Sequence, residues 1–341
     1  MISLVPAAST PAVGTPILWF LTIGAVLALF VVDFLVTRRP HEVSMREAVA
    51  WSAFYVAIPV AFGVWLWNAH GSQTGVEYYT GYLVEKSLSV DNLFVFMLLL
   101  TAFVVPKKYQ QRVLLIGVAG ALVLRGIFIA LGAQLISSFS WAFLLFGAIL
   151  LVTAVKVLRD ALSQSDHAVD ISSLRTVRLV RRFWPVTEDY RGTRMSITKD
   201  GRRVLTPMAL VVVAILGTDI VFAIDSVPAV YGITEDPYLV FATNAFALLG
   251  LRALYFVLQG ALGSLVHLGH GLAAILAFIG VKLVLHWAHD VWAWVPTIPT
   301  LASLGVILAI LATATTTSLI APRRQEERDR AERDEDRTPV A

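Results

Sequence analysis

Apolar runs long enough to cross a bilayer recur along the whole chain, at roughly 16–37, 48–68, 78–102, 112–134, 139–158, 207–229, 238–258, 269–289 and 298–320. About 20 apolar residues span the hydrocarbon core as a helix. Lipid offers no partner to a backbone N–H or C=O, so each run must close its own hydrogen bonds, which a helix does within one segment. The pattern predicts an all-α membrane protein with nine transmembrane helices. Hydrophobic residues make up 57% of the 341 and charged residues 15%, against about 45–50% and about 25% in soluble domains. Cysteine is absent, which removes disulfides, thiolate nucleophiles and soft-metal ligands. No charged residue precedes Asp33, so the first run lacks the basic flank of a cleaved signal and reads as a retained helix.

Basic residues in the connections set the orientation. Arg38, Arg39 and Arg46 follow the first run, Lys107, Lys108 and Arg112 the third, and ten basic residues, among them Arg181, Arg182, Arg202 and Arg203, lie in 159–206. The connections after the second, fourth, sixth and eighth runs hold no Lys or Arg. This alternation predicts an external N-terminus and a cytoplasmic C-terminus, with the 159–206 loop lying near anionic headgroups. Trp65, Trp67, Trp287, Trp292 and Trp294 read as interfacial anchors. From Arg323 to Arg337 the tail mixes Arg with Glu and Asp, the signature of a solvated end.

Two triplets of runs resemble one another. Asp91-Asn92-Leu93-Phe94 matches Asp219-Ile220-Val221-Phe222, Leu124-Arg125-Gly126 matches Leu251-Arg252-Ala253, and Phe146-Gly147 with Lys156 echoes Ile279-Gly280 with Lys282. The Asp-to-Arg separations are 34 and 33 residues, and the Arg-to-Lys separations 31 and 30. Copies with an odd number of spans insert in opposite senses, which predicts a 3+3 inverted-topology repeat with a site near the midplane. The expected organisation is two N-terminal helices over 1–77, a first repeat over 78–158, a basic cytoplasmic loop over 159–206 and a second repeat over 207–289. A ninth helix over 290–321 and a charged cytoplasmic tail over 322–341 complete it.

The chemistry rests on carboxylates inside these runs, where an ionised group costs at least about 2.5–3.5 kcal/mol and marks a site or a partnered charge. Asp91 and Asp219 fall near mid-depth. Glu85 precedes Asp91 by six residues and Asp225 follows Asp219 by six; in antiparallel spans both steps point outward by about 9 Å. Two tiers of acid are therefore expected. With Asn92, Asn244, Ser89, Thr218 and Ser226 they form a hard oxygen set suited to Mg²⁺, Ca²⁺ or Mn²⁺. Gly217 and Pro228 bracket the second motif and suggest a broken helix there. Asp33 and the bases Lys86, Arg125, Lys156, Arg252 and Lys282 also lie in spans, so structural ion pairing is the competing reading. Arg125 and Arg252, mid-span, are expected to clamp carboxylates or helix-end carbonyls, whereas the histidines fit no closed metal site.

At these motifs the chain resembles the TerC/Alx family of integral membrane proteins, within the lysine-exporter-like superfamily. The resemblance is carried by Glu85 to Phe96, by Thr218 to Ala229, by Asn244 to Tyr255, by Phe278 to Lys282 and by the loop segment Phe183 to Tyr190 with Gly201-Arg202. It implies a bacterial cytoplasmic-membrane protein that transports metal ions, chiefly by Mn²⁺ export, with links to tellurite resistance and the alkaline pH response. Tellurite is an oxyanion that Asp91, Asp219 and Asp225 would repel, so that phenotype is expected to be indirect. Two positions depart from the family pattern. Leu216 stands where the family usually carries a Glu, which removes one oxygen ligand and one charge, and an acid expected around Gly263 is missing.

The expected function is divalent-metal transport, most of all Mn²⁺ export. The metal ligands would be Asp91, Asp219, Asp225, Glu85 and Asn92, supported by Asn244, Ser89, Thr218, Ser226, Arg125, Arg252, Lys156 and Lys282. No resident cofactor and no nucleic-acid partner are expected, only the transported ion and the bilayer, and other protein partners are left open. No nucleophile–base pair points to an enzyme. Outward movement of a divalent cation against an inside-negative potential costs about 4.6 kcal/mol per 100 mV, and the chain has no phosphate-binding loop for a nucleotide. Exchange for protons on the carboxylates is the expected coupling. The alternatives are a carrier of another cation such as Ca²⁺, or a non-transporting membrane scaffold in stress response or membrane-protein assembly.

Overall fold

A computed structural model describes residues 13–36, 43–162, 177–178, 182–187, 190–199, 202–261, 268–292 and 294–335. The sequence features at Arg38, Arg39, Arg181, Glu188, Asp189, Gly201, Gly263 and 336–341 lie outside the described residues. Ten helices follow in order: α1 (Pro16–Val36), α2 (Met45–His70), α3 (Ser72–Ala102), α4 (Lys107–Ser138), α5 (Ala142–Leu162), α6 (Pro207–Tyr231), α7 (Pro237–Leu249), α8 (Leu251–Ala261), α9 (Leu268–Val291) and α10 (Thr300–Glu335). Seven of them, α1, α2, α4, α5, α6, α9 and the first part of α10, are long and apolar enough to cross a membrane. The joined pair α7–α8 makes an eighth if the bent pair is one span. At 31 residues α3 is long enough, but Glu77, Glu85, Lys86, Asp91 and Asn92 leave it too polar to qualify on composition.

One element departs from an all-helical fold. In the 159–206 loop, β1 (Ser196–Lys199) pairs antiparallel with β2 (Arg202–Leu205), Ser196 facing Leu205. Val204 is buried there, and the neighbouring chain docks through Leu205 N–H to Pro185 O (3.0 Å) and Thr187 N–H to Leu205 O (2.9 Å). Tyr190 ties this loop to the end of α3 by donating its hydroxyl to Phe103 O at 2.9 Å. Burial pushes the Tyr190 phenol up to about 12, so it stays protonated and a donor at neutral pH.

The helix break is not where the sequence suggests. Helix α6 runs unbroken through Gly217 and Pro228, while the chain bends by 44° between α7 and α8 at Gly250. A Cβ at Gly250 would sit 3.0 Å from Tyr55 Cβ and 3.3 Å from Lys86 Nζ, so glycine lets α2 and α3 approach the break. Lys86 donates to Ala247 O at 3.3 Å, placing a cation against the carbonyl end of α7. At the other end, Asp236 Oδ1 accepts from Tyr238 N–H (2.8 Å) and Leu239 N–H (3.4 Å), and its Oδ2 from Val13 N–H (2.6 Å). The half-helix α7 is thus held by an acid at its N-terminus and a base at its C-terminus. Asp236→Ala is expected to lower stability by about 1 kcal/mol or somewhat more. Asp236→Asn should retain most of it, read as the thermal midpoint of the detergent-solubilised protein.

Packing follows a recognisable pairing. Helix α5 lies along α9, α4 against α6, α3 against both α6 and α7, and α2 against α3 and α8. Phe143, Phe146 and Leu150 of α5 meet Ile275, Ile279 and Leu283 of α9 in one apolar cluster. A second joins Leu93, Phe96 and Leu100 of α3 to Leu114 of α4 and Leu210 and Val211 of α6. The polar site lies among α3, α4, α6 and α7.

Candidate functional site

Arg125, in the middle of α4, is fully buried. Its Nη1 forms an ion pair with Glu85 Oε1 of α3 and donates to Asn244 Oδ1 of α7 at 3.0 Å. Nη2 reaches Asp219 Oδ1 of α6 at 3.4 Å. With the Asn92 amide turned to satisfy both of its atoms, Nη2 also donates to that oxygen at 2.8 Å while the Asn92 nitrogen donates to Leu88 O at 3.1 Å. Four helices thus converge on one guanidinium, whose planar fork suits several oxygens where a lysine would offer a single point.

Helical spacing explains which α3 residues take part. Positions i, i+4 and i+7 share a face, so Glu85, Ser89 and Asn92 form one stripe, and all three are buried. Asp91 falls about 100° from Asn92 and is half-buried. The same spacing on α6 aligns Asp219, Ala223 and Ser226, all buried, and leaves Asp225 half-buried beside them. Asp225 lies within electrostatic range of Arg125 and Asp91. The guanidinium therefore bridges both expected tiers, touching Glu85 from the outer tier and Asn92 and Asp219 from the inner one.

The cluster is incompletely satisfied. Glu85 Oε2, Asp219 Oδ2, Arg125 Nε and the hydroxyls of Ser89 and Ser226 have no hydrogen-bond partner among the described residues. Buried polar atoms of this kind are uncommon and call for an explanation. Among those residues no group of three or more His, Asp or Glu side chains is arranged to hold a metal ion. The space between Glu85 and Asp219 is taken by Arg125.

Other expected site residues lie elsewhere. Thr218 turns its hydroxyl to Ile215 O of its own helix at 2.8 Å. Lys156 is exposed on α5, and Lys282 is within range of Glu77, itself bonded to Thr234 and Gln73. Arg252, despite its matched position in the second triplet, binds Asp33 of α1 through Nε to Oδ2 (2.9 Å) and Nη2 to Oδ1 (2.5 Å), and Gln111 through Nη1 at 3.2 Å. Gln111 precedes Arg125 by fourteen residues on α4, which sets the two arginine clusters about 20 Å apart along that helix. Leu216 packs over Gly120 of α4, in the seam that holds Asp219 and Arg125. An isobutyl group fills the place where the family resemblance expects a carboxylate.

The fold and site define a multi-pass helical membrane protein with a charged cluster at its centre. The chain matches the family described as "Integral membrane protein TerC family" over residues 70–326. An uncharacterized membrane protein of Mycobacterium tuberculosis is 46% identical over 275 residues, covering 80% of this chain and 69% of its own. One from Myxococcus xanthus is 38% identical over 314 residues, covering 92% and 95%. A protein of Escherichia coli named "Putative membrane-bound redox modulator Alx" is 39% identical over 310 residues, covering 88% and 93%. No solved structure matches the chain. The chain belongs to the TerC family of integral membrane proteins.

Proposed function

We propose that the protein exports a divalent cation, Mn²⁺ foremost, across the cytoplasmic membrane, with protons as the exchanging ion. The observation that carries this reading is the charge imbalance at the centre: Glu85 and Asp219, both fully buried, share one guanidinium, and each keeps an unpartnered oxygen among the described residues. Asp225 lies within range of the same guanidinium. Buried charge is stable only when paired, and this arrangement calls for a mobile positive charge. The ligands proposed are Glu85, Asp219, Asp225, Asp91 and Asn92, with Asn244, Ser89 and Ser226 close by.

The architecture proposed with it has nine spans, counting α3 and the α7–α8 pair, in two inverted triplets, α3–α5 and α6–α9. The N-terminus is external and the C-terminus cytoplasmic. The pairing of helices supports the inversion: exchanging the triplets maps α4·α6 onto α3·α7 and returns α5·α9 to itself, and each of these pairs is packed. The matched glycines support it further. A Cβ on Gly147 would sit 2.9 Å from Gly280 O, and one on Gly280 would sit 3.1 Å from Gly147 O, the reciprocal contact a two-fold relation requires. The name of the Escherichia coli relative speaks of redox modulation; without a cysteine in these 341 residues, thiol exchange is not open to this chain.

The test is expression in a manganese-sensitive host, with intracellular Mn compared among the native chain, Asp219→Asn and Asp91→Asn at equal membrane levels. The native chain should lower Mn and both substitutions should restore it. Unchanged Mn with the native chain would leave a scaffold as the better account. In everted vesicles a protonophore should abolish uphill Mn²⁺ movement, and movement that survives it would remove proton coupling.

A further inference from the structure

We infer that Arg125 is the resident counter-ion of the transport site: its guanidinium occupies the cation's place, and a divalent cation binds by displacing it from Glu85 and Asp219. The inference rests on the transport reading and adds how that site is kept closed when empty.

Three observations carry it. First, the oxygens gathered on the guanidinium are two carboxylates, Glu85 and Asp219, and two amide oxygens, Asn92 and Asn244, drawn from α3, α6 and α7. A hard cation such as Mn²⁺ takes that donor set, and a guanidinium fork can occupy it without being the only group that fits. Secondly, neither side of the ion pair is saturated. Arg125 Nε, Glu85 Oε2 and Asp219 Oδ2 are buried and unpartnered among the described residues, whereas Arg252 directs Nε and Nη2 to the two oxygens of Asp33 and Nη1 to Gln111. The contrast separates a pair built to stay closed from one left open to exchange. Thirdly, the charges sum differently with each occupant. Counting only the two carboxylates in contact with the guanidinium, Glu85 and Asp219, Arg125 leaves one net negative charge and a divalent cation in its place leaves none.

Displacement predicts an effect that a structural role does not. Removing the arginine should strengthen cation binding, because the site loses its internal competitor, and should impair turnover, because nothing then drives the cation out. The experiment measures equilibrium binding of Mn²⁺ alone to the purified full chain in nanodiscs, with Mn²⁺ flux in proteoliposomes alongside. Arg125→Gln, which keeps a hydrogen-bonding side chain without the charge, should bind Mn²⁺ at least about tenfold more tightly than the native chain and lose flux. Arg125→Lys should bind with intermediate affinity and retain part of the flux. Binding by the native chain that is equal or weaker in Arg125→Gln overturns the inference and leaves the transport reading standing. No Mn²⁺ binding by either protein overturns the transport reading, and the inference with it. Should Arg125→Gln fail to fold, Arg125→Lys decides: tighter binding than the native chain supports displacement, and equal or weaker binding overturns it.

Discussion

Asp33→Ala is expected to destabilise the protein by about 3–5 kcal/mol, the usual cost of removing one partner from a buried ion pair. Arg252 is buried, and its Nε and Nη2 both end on the Asp33 carboxylate, at 2.9 and 2.5 Å. Without that carboxylate only Gln111, at 3.2 Å, remains on the guanidinium among the described residues. The pair joins α1 to α8, so its loss should loosen the first helix from the bundle as well as lower the melting point. Asp33→Asn should be milder, since it keeps an acceptor. The double change Asp33→Ala with Arg252→Met should recover much of the loss, because no buried charge is then left alone. Thermal unfolding of the native chain, the two single variants and the double variant in one detergent completes the cycle. Full additivity of the two single effects would mean that the pair is not coupled.

Gly147→Leu is expected to cost about 1–3 kcal/mol or more through overpacking, and to separate α5 from α9. A Cβ alone would meet Val284 Cγ2 at 2.8 Å, Gly280 O at 2.9 Å and Val284 N at 3.2 Å. Two of those three atoms are backbone, which cannot swing aside as a side-chain tip can. Gly280→Leu should act alike, since its Cβ would meet Gly147 O at 3.1 Å and Leu150 Cβ at 3.2 Å. A Cβ added at Gly126 or Gly305 would meet nothing within 4 Å, so leucine there should change stability by no more than about 0.5 kcal/mol. Equal effects at all four positions would show that lost chain flexibility, not the helix crossing, governs the response.

Much of the bundle can be read from the chain because lipid-compatible helices announce themselves by length and apolarity, and a backbone in lipid has few other options. Eight of the nine apolar runs became one helix each, the run at 238–258 broke into α7 and α8, and α3 stands apart through its polar load. The two mid-span arginines are expected to clamp carboxylates or helix-end carbonyls, and each lies against a carboxylate, Arg125 at Asp219 and Arg252 at Asp33. Helix periodicity also contains the stripe of Glu85, Ser89 and Asn92, although the repeat draws attention to Asp91 instead. Matching by repeat aligns residues of like type, whereas burial depends on which neighbour a face meets.

Partner choice across helices is not legible in the same way. Arg252 takes Asp33 from α1, a helix outside the repeat, because α1 packs along α7 and the chain then bends into α8; nothing local to either residue encodes that approach. The break at Gly250 escapes the sequence for a similar reason. Gly217 and Pro228 are the stronger local breakers, yet α6 continues through both, while Tyr55 and Lys86 give Gly250 its role only in three dimensions. Composition and periodicity determined that this chain is a bundle of membrane helices carrying acids at its centre. Tertiary packing decided that Arg125 sits between Glu85 and Asp219, because a long side chain finds its partners by the geometry of four helices and not by distance along one.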